Sequence, residues 1–92
     1  MIRSFRSKAL RRFAEDGDPS KLSVRNVLRV TIMLQQLEDA RAAEELNLPG
    51  YFFHVLRGQD RGRYSIRVTG NYRLTFGWDD EDAIDVDLED YH

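Results

Sequence analysis

The sequence predicts an α+β fold, with two N-terminal helices packed on one face of a mainly antiparallel sheet of about four to five strands. Three observations lead there. Apolar residues recur at helical spacing up to about residue 43. From residue 51 the apolar period becomes two. The alternating runs are joined by short segments carrying Gly, Asn and Asp, so successive strands should form hairpins.

Met1-Ile2-Arg3-Ser4-Phe5 reads as a brief strand. Ser7 is placed to cap a first helix running to about Glu15, with Leu10, Phe13 and Ala14 on one face. Gly17-Asp18-Pro19 ends it. Ser20 or Ser23 is expected to open a longer second helix to about Ala43. Val24, Val27, Leu28, Thr31, Leu34 and Leu37 form its apolar stripe. The β-branched Val30 and Ile32 weigh slightly against a helix, and the periodicity outweighs them. Asn47-Leu48-Pro49-Gly50 is a turn. Tyr51 to Leu56 then reads as one strand, and Tyr64, Ile66 and Val68 alternate with Ser65, Arg67 and Thr69 in the next. Tyr72, Leu74, Phe76 and Trp78 alternate with Arg73 and Thr75 in a third. Ile84, Val86 and Leu88 alternate with acids in a fourth. Residues 58–62, 70–71 and 79–82 are the connections, giving an antiparallel meander. Arg67, Arg73, Ser65 and Thr75 fall on the face that the helices leave uncovered, which is either a solvated face or a ligand-binding one.

Ninety-two residues are expected to make one domain, 1–92. There is no cysteine, so disulfides, thiolate nucleophiles and zinc-thiolate sites are excluded. With no run approaching transmembrane length and no signal-peptide core, a soluble cytoplasmic protein is expected, with no membrane contact. The net charge of -2 taken alone disfavours nucleic acid, yet the charges are segregated. Arg3, Arg6, Lys8, Arg11 and Arg12 form one basic cluster. Arg57, Arg61, Arg63, Arg67 and Arg73 form a second, against the single acid Asp60. The run from Asp79 to Asp90 is acidic throughout. A ligand responds to the local field rather than to the sum.

Two histidines exist, His54 in an apolar strand and His92 at the end. A meander can bring His54, Asp90, Tyr91 and His92 near Arg57, Arg67 and Arg73. Such a set suits phosphodiester cleavage. Imidazole moves protons near neutrality, and guanidinium forks bind phosphate and stabilise a phosphorane. On RNA the 2′-hydroxyl can be the nucleophile, so no cofactor is expected. Gly58-x-x-x-Gly62 lacks the Lys-Ser/Thr of a phosphate loop, and the acidic run lacks calcium-loop spacing, so no metal site is expected.

Phe53-His54-Val55-Leu56-Arg57-Gly58, Gly62-Arg63-Tyr64-Ser65-Ile66-Arg67-Val68, Asn71-Tyr72-Arg73-Leu74-Thr75-Phe76 and the ending Val86-Asp87-Leu88-Glu89-Asp90-Tyr91-His92 together resemble the HigB branch of the RelE toxin superfamily. The resemblance covers essentially the whole chain. It implies a RelE-like fold and a ribosome-dependent mRNA endonuclease, the toxin of a type II toxin–antitoxin pair, cutting in the A site without a metal. It implies as partners a HigA-like helix-turn-helix antitoxin, mRNA on the 70S ribosome, and operator DNA only through the antitoxin. His54, Asp90, Tyr91 and His92 match the family's catalytic positions, and Arg73 and Arg67 match basic residues near the scissile phosphate. Arg57, Arg63 and Arg67 are the expected RNA contacts. Arg57 stands where the family usually has lysine, Val55 where proline is common, and Tyr64 where tryptophan is. His92 or Asp90 would be the general base and His54 the acid, with Tyr91 stacking on substrate. A gyrase-inhibiting ParE-type toxin, or an inactive antitoxin-binding module of the same fold, is the alternative.

Overall fold

A computed structural model describes residues 1–90. The expected Tyr91 and His92 therefore lie outside the described residues. Helix α1 spans Lys8–Asp16. The Ser7 hydroxyl accepts from the Leu10 amide at 3.1 Å, and left-handed Gly17 closes the far end on the Phe13 carbonyl. Helix α2 spans Val27–Asp39 and is shorter than its apolar spacing predicts. Asn26, not Ser20 or Ser23, caps it by accepting from the Arg29 amide at 3.2 Å. Upstream, Val24 is buried from non-helical backbone, and Ser20 is held in a turn by Asp18. Downstream, Glu45 accepts from the Arg41 and Ala42 amides and folds Ala43–Leu46 into a separate 3₁₀ turn. The buried stripe of α2 is Val30, Met33, Leu34 and Leu37, while Leu28 is 70% exposed. The core face is thus rotated from the one the spacing first picks out.

Strands β1 (His54–Val55), β2 (Arg63–Arg67), β3 (Tyr72–Asp79) and β4 (Asp82–Asp90) pair antiparallel in the order β1-β2-β3-β4. The meander is as expected, but the first strand is two residues long rather than six. Phe52, at φ 49°, breaks its ladder. Residues 1–6 add a parallel edge segment. Ile2 lies opposite Ala83 and Phe5 opposite Val86. Leu10 of α1 and the α2 stripe close over Ile66, Leu74, Phe76, Ala83 and Val86 to form the core.

One extra residue in β4 organises the other face. Near the turn, Asp79 opposes Asp82, Trp78 opposes Ala83, and Gly77 opposes Ile84. Beyond a β-bulge, Thr75 opposes Asp87 and Arg73 opposes Glu89. The expected single face of Ile84, Val86 and Leu88 is thereby corrected. Ala83 takes the core side and Ile84 the other, against Gly77. After the bulge Val86 and Leu88 return to the core side. Asp85 absorbs the insertion at φ 50°, and its amide donates to the Ser4 hydroxyl at 2.9 Å.

Phe76 is fully buried, stacks on Tyr64 and meets Trp78 edge-on. Phe76→Ala is expected to cost about 3–5 kcal/mol of unfolding free energy in a urea melt. At the sheet edge, Arg3 pairs with Asp79 at 2.6 Å and Asp82 at 2.7 Å, and the terminal ammonium lies 3.6 Å from Asp82. The Arg3 hydrogen bond, then charge, holds the Asp82 carboxyl below the usual carboxylate range. A carboxylate lowered by folding stabilises above its unfolded pKa, about 4, and this is lost as pH falls through the folded value. The melting temperature is therefore expected to fall below about pH 4, and to fall less in Asp82→Asn.

Candidate active site

Period-two geometry assembles a row of polar side chains on the sheet face opposite the helices. His54 opposes Ser65, which opposes Thr75, which opposes Asp87. One step along, Arg67 opposes Arg73, which opposes Glu89. Two adjoining depressions of about 290 and 190 Å³ lie on this face. Both are lined by Leu56, Arg57, Ser65 and Arg73. His54 and Val55 border the first, and Asp60, Thr75 and Glu89 the second. The two form one groove with His54 at one end and Glu89 at the other.

The floor differs from the open polar face that the sequence led us to expect. Ser65 and Thr75 are 1% and 4% exposed, and the Thr75 hydroxyl lies between Arg63 and Glu89. Arg63, expected to contact RNA, is 8% exposed and turned inward. Its guanidinium donates to Thr75 Oγ1 and to the Asp85 carbonyl, both at 2.9 Å. The Thr75 hydroxyl donates in turn to Glu89. Burial lowers the Arg63 pKa from its ordinary value, and the Arg6 charge adds to that. The carboxylates of Glu89, Asp87 and Asp85 oppose the change. Arg63 is thus a brace beneath the groove, fixing the bulge that sets which side β4 presents.

Other expected residues stand as follows. His54 is exposed at the rim, and its Nδ1 lies 2.7 Å from the Phe52 carbonyl. A carbonyl only accepts, so Nδ1 carries the proton and Nε2 is left for a ligand. Arg57 is exposed, and Arg73 and Arg67 are half-buried. The Arg67 guanidinium lies 4.2 Å over the Phe52 ring. Asp90 opposes Tyr72, on the side of Leu88 rather than of the groove. Glu89 is the acid that the register places beside Arg73. Sequence reasoning missed it because, counted from the Asp79–Asp82 turn without a bulge, Arg73 would oppose Leu88. Phe52 was also missed, hidden in a run that reads as continuous strand. Among the described residues no group of three or more His, Asp or Glu is arranged to hold a metal. Among them, too, no helix is long and apolar enough to cross a membrane.

Comparison with known proteins decides the family. The family model described as the RelE-like toxin of the type II toxin–antitoxin system HigB matches residues 3–92. The chain belongs to the HigB-like toxins. An "Endoribonuclease HigB" of Proteus vulgaris is 38% identical over 92 residues, covering the whole of both chains. A "Toxin HigB-1" of Vibrio cholerae serotype O1 is 37% identical, covering 97% of this chain and 96% of the relative. Membership makes this chain a toxin of the type II class, with an antitoxin as partner. The α+β, RelE-like architecture expected from the sequence holds for this HigB-like toxin.

Because Arg63 satisfies two acceptors internally, Arg63→Ala is expected to act on folding. Leaving Thr75 and the Asp85 carbonyl without that donor should cost about 1–3 kcal/mol, read as a lower denaturation midpoint. A surface phosphate contact would leave the midpoint within about 0.5 kcal/mol.

Proposed function

We propose that this chain, an endoribonuclease toxin, cuts mRNA in the A site of the 70S ribosome by attack of the RNA's own 2′-hydroxyl. The observation that carries this reading is the groove. It joins His54, Arg57 and Arg73 over a buried Ser65–Thr75 floor, on the one sheet face that the helices leave open. A base removes the 2′-hydroxyl proton, and the oxygen attacks phosphorus in line. The bond to the 5′-oxygen breaks, and an acid protonates that oxygen. The products are a 2′,3′-cyclic phosphate and a 5′-hydroxyl. Negative charge grows on the phosphoryl oxygens in between.

Arg73 and Arg67 stabilise that charge, and Arg57 binds phosphate at the rim. Its fixed positive charge serves binding, since guanidinium does not give up a proton near neutrality. His54, with Nδ1–H committed to the Phe52 carbonyl, addresses substrate through Nε2, and as imidazolium it donates there to the leaving 5′-oxygen. His92 acts as base and Tyr91 stacks on substrate, while Asp90, whose place in β4 falls on the Leu88 side rather than in the groove, takes no proton in this reading. The His92 and Tyr91 assignments rest on the match of the terminal Asp-Tyr-His to the family's catalytic positions. Thr75 and Arg63 hold the floor, and Glu89 sets the local field. In this reading the antitoxin is a HigA-like helix-turn-helix protein, operator DNA is reached only through it, and the toxin works in the cytoplasm, where the ribosomes are.

Toeprinting of mRNA on programmed ribosomes tests the reading. Wild-type protein is expected to produce a new A-site stop, and His54→Ala and His92→Ala to lower its rate ~10²-fold or more. Arg73→Ala should slow cleavage while keeping a cooperative melt. Intact mRNA with inhibited gyrase would replace this reading by a gyrase toxin.

A further inference from the structure

The Phe52 side chain has no role in the reaction as derived above, yet its surroundings are unusual. It is a bulky residue held at φ 49°, a backbone region that side chains of its size rarely occupy. The neighbouring backbone is fastened on both sides. The Arg67 amide donates to the Tyr51 carbonyl at 2.7 Å. The Arg29 guanidinium reaches from α2 to the Gly50 carbonyl at 3.1 Å and the Arg67 carbonyl at 2.9 Å. It also lies over the Tyr51 ring, whose hydroxyl bonds to Gln36. Next along the chain, Phe53 stacks on Tyr64 and packs against the core. The left-handed residue between two inward-facing aromatics therefore turns one aromatic outward. Phe52 is 53% exposed, beside His54 and under the Arg67 guanidinium.

Exposed aromatics are common on proteins. A conformationally costly one, held from two directions, is not an accident of surface composition. Nothing in the core uses its ring, and its two direct partners are both assigned to the reaction. Unpaired RNA bases stack on aromatic rings and on arginine planes. We propose that the Phe52–Arg67 stack is a platform for an unpaired base next to the scissile phosphate. In this arrangement Phe52 is a substrate-positioning residue. Its ring receives the base and its carbonyl aims the adjacent imidazole. This rests on the ribosomal mRNA reading above.

Phe52→Gly separates ring from backbone, because glycine adopts this φ without strain and keeps the carbonyl. Cleavage is measured on ribosomes programmed with increasing amounts of mRNA complex. Phe52→Gly is expected to raise the half-saturating concentration on the order of 10-fold, the scale of one lost base stack, with a smaller change in maximal rate. Phe52→Tyr and Phe52→Trp should stay within about threefold of wild type. A second readout uses non-cleavable mRNA with a 2′-deoxy cut site and 2-aminopurine beside it. Wild type should quench the 2-aminopurine fluorescence and Phe52→Gly should not. Melting curves confirm that each variant is folded. Unchanged half-saturation and unchanged quenching in folded Phe52→Gly would overturn the platform while leaving the nuclease reading intact. A loss confined to maximal rate overturns it as well, and limits the ring to holding the Arg67 guanidinium in place. Wild-type protein that leaves ribosomal mRNA uncut overturns the reading on which the platform stands.

Discussion

The contact between the Arg63 guanidinium and the Asp85 carbonyl decides what the sheet can display. A strand presents alternate residues to opposite sides, so one inserted residue exchanges its faces. In β4 that exchange happens at Asp85. Before it, Ala83 seals the core; after it, Val86 and Leu88 do, and Asp87 and Glu89 turn to the groove. Arg63 holds the exchange in place from the facing side and ties it through Thr75 to Glu89. A buried guanidinium needs acceptors to offset its desolvation, and the bulge supplies one that a regular ladder would have used within the sheet. The polar groove and the apolar core are thus set by the same irregularity.

The central strand shows how closely the two requirements are joined. Leu74 and Phe76 are buried against the helices, while Arg73 and Thr75, one position away, shape the groove. A substitution that disturbs packing on one side moves the other side with it. Reading mutant toxins by activity alone would therefore mix folding with chemistry.

Much of this was legible in the sequence because it follows from period. The alternation of Tyr72, Leu74, Phe76 and Trp78, the hairpin connections and the Ser7 cap each have a local cause, and each matches the structure. What escaped the sequence depends on where long side chains go. Arg63 and Arg67 look alike in an alternating strand. One turns inward because an unusual carbonyl awaits it, and the other lies over an aromatic ring. Ser65 and Thr75 fall on the face expected to be uncovered, yet both are buried. The start of α2 was misplaced because Val24 keeps helical spacing while its backbone is not helical. Phe52 was invisible because a single left-handed residue leaves no trace in hydrophobic spacing. The bulge is equally silent, and with it the placement of Glu89.

The edge pairing of the first residues with β4 bears on when, during synthesis, the molecule becomes complete. Ser4 and its partner Asp85 are 81 positions apart. Residues 1–6 therefore wait unpaired until β4 has been made, and closing so long a loop precedes any return from the contacts it makes. A growing chain without β4 has no bulge, no Glu89 beside Arg73 and no cover for that edge. The groove assembles only once β4 has left the exit tunnel. A chain still lacking β4 is accordingly without a finished groove, whatever else of the sheet has folded.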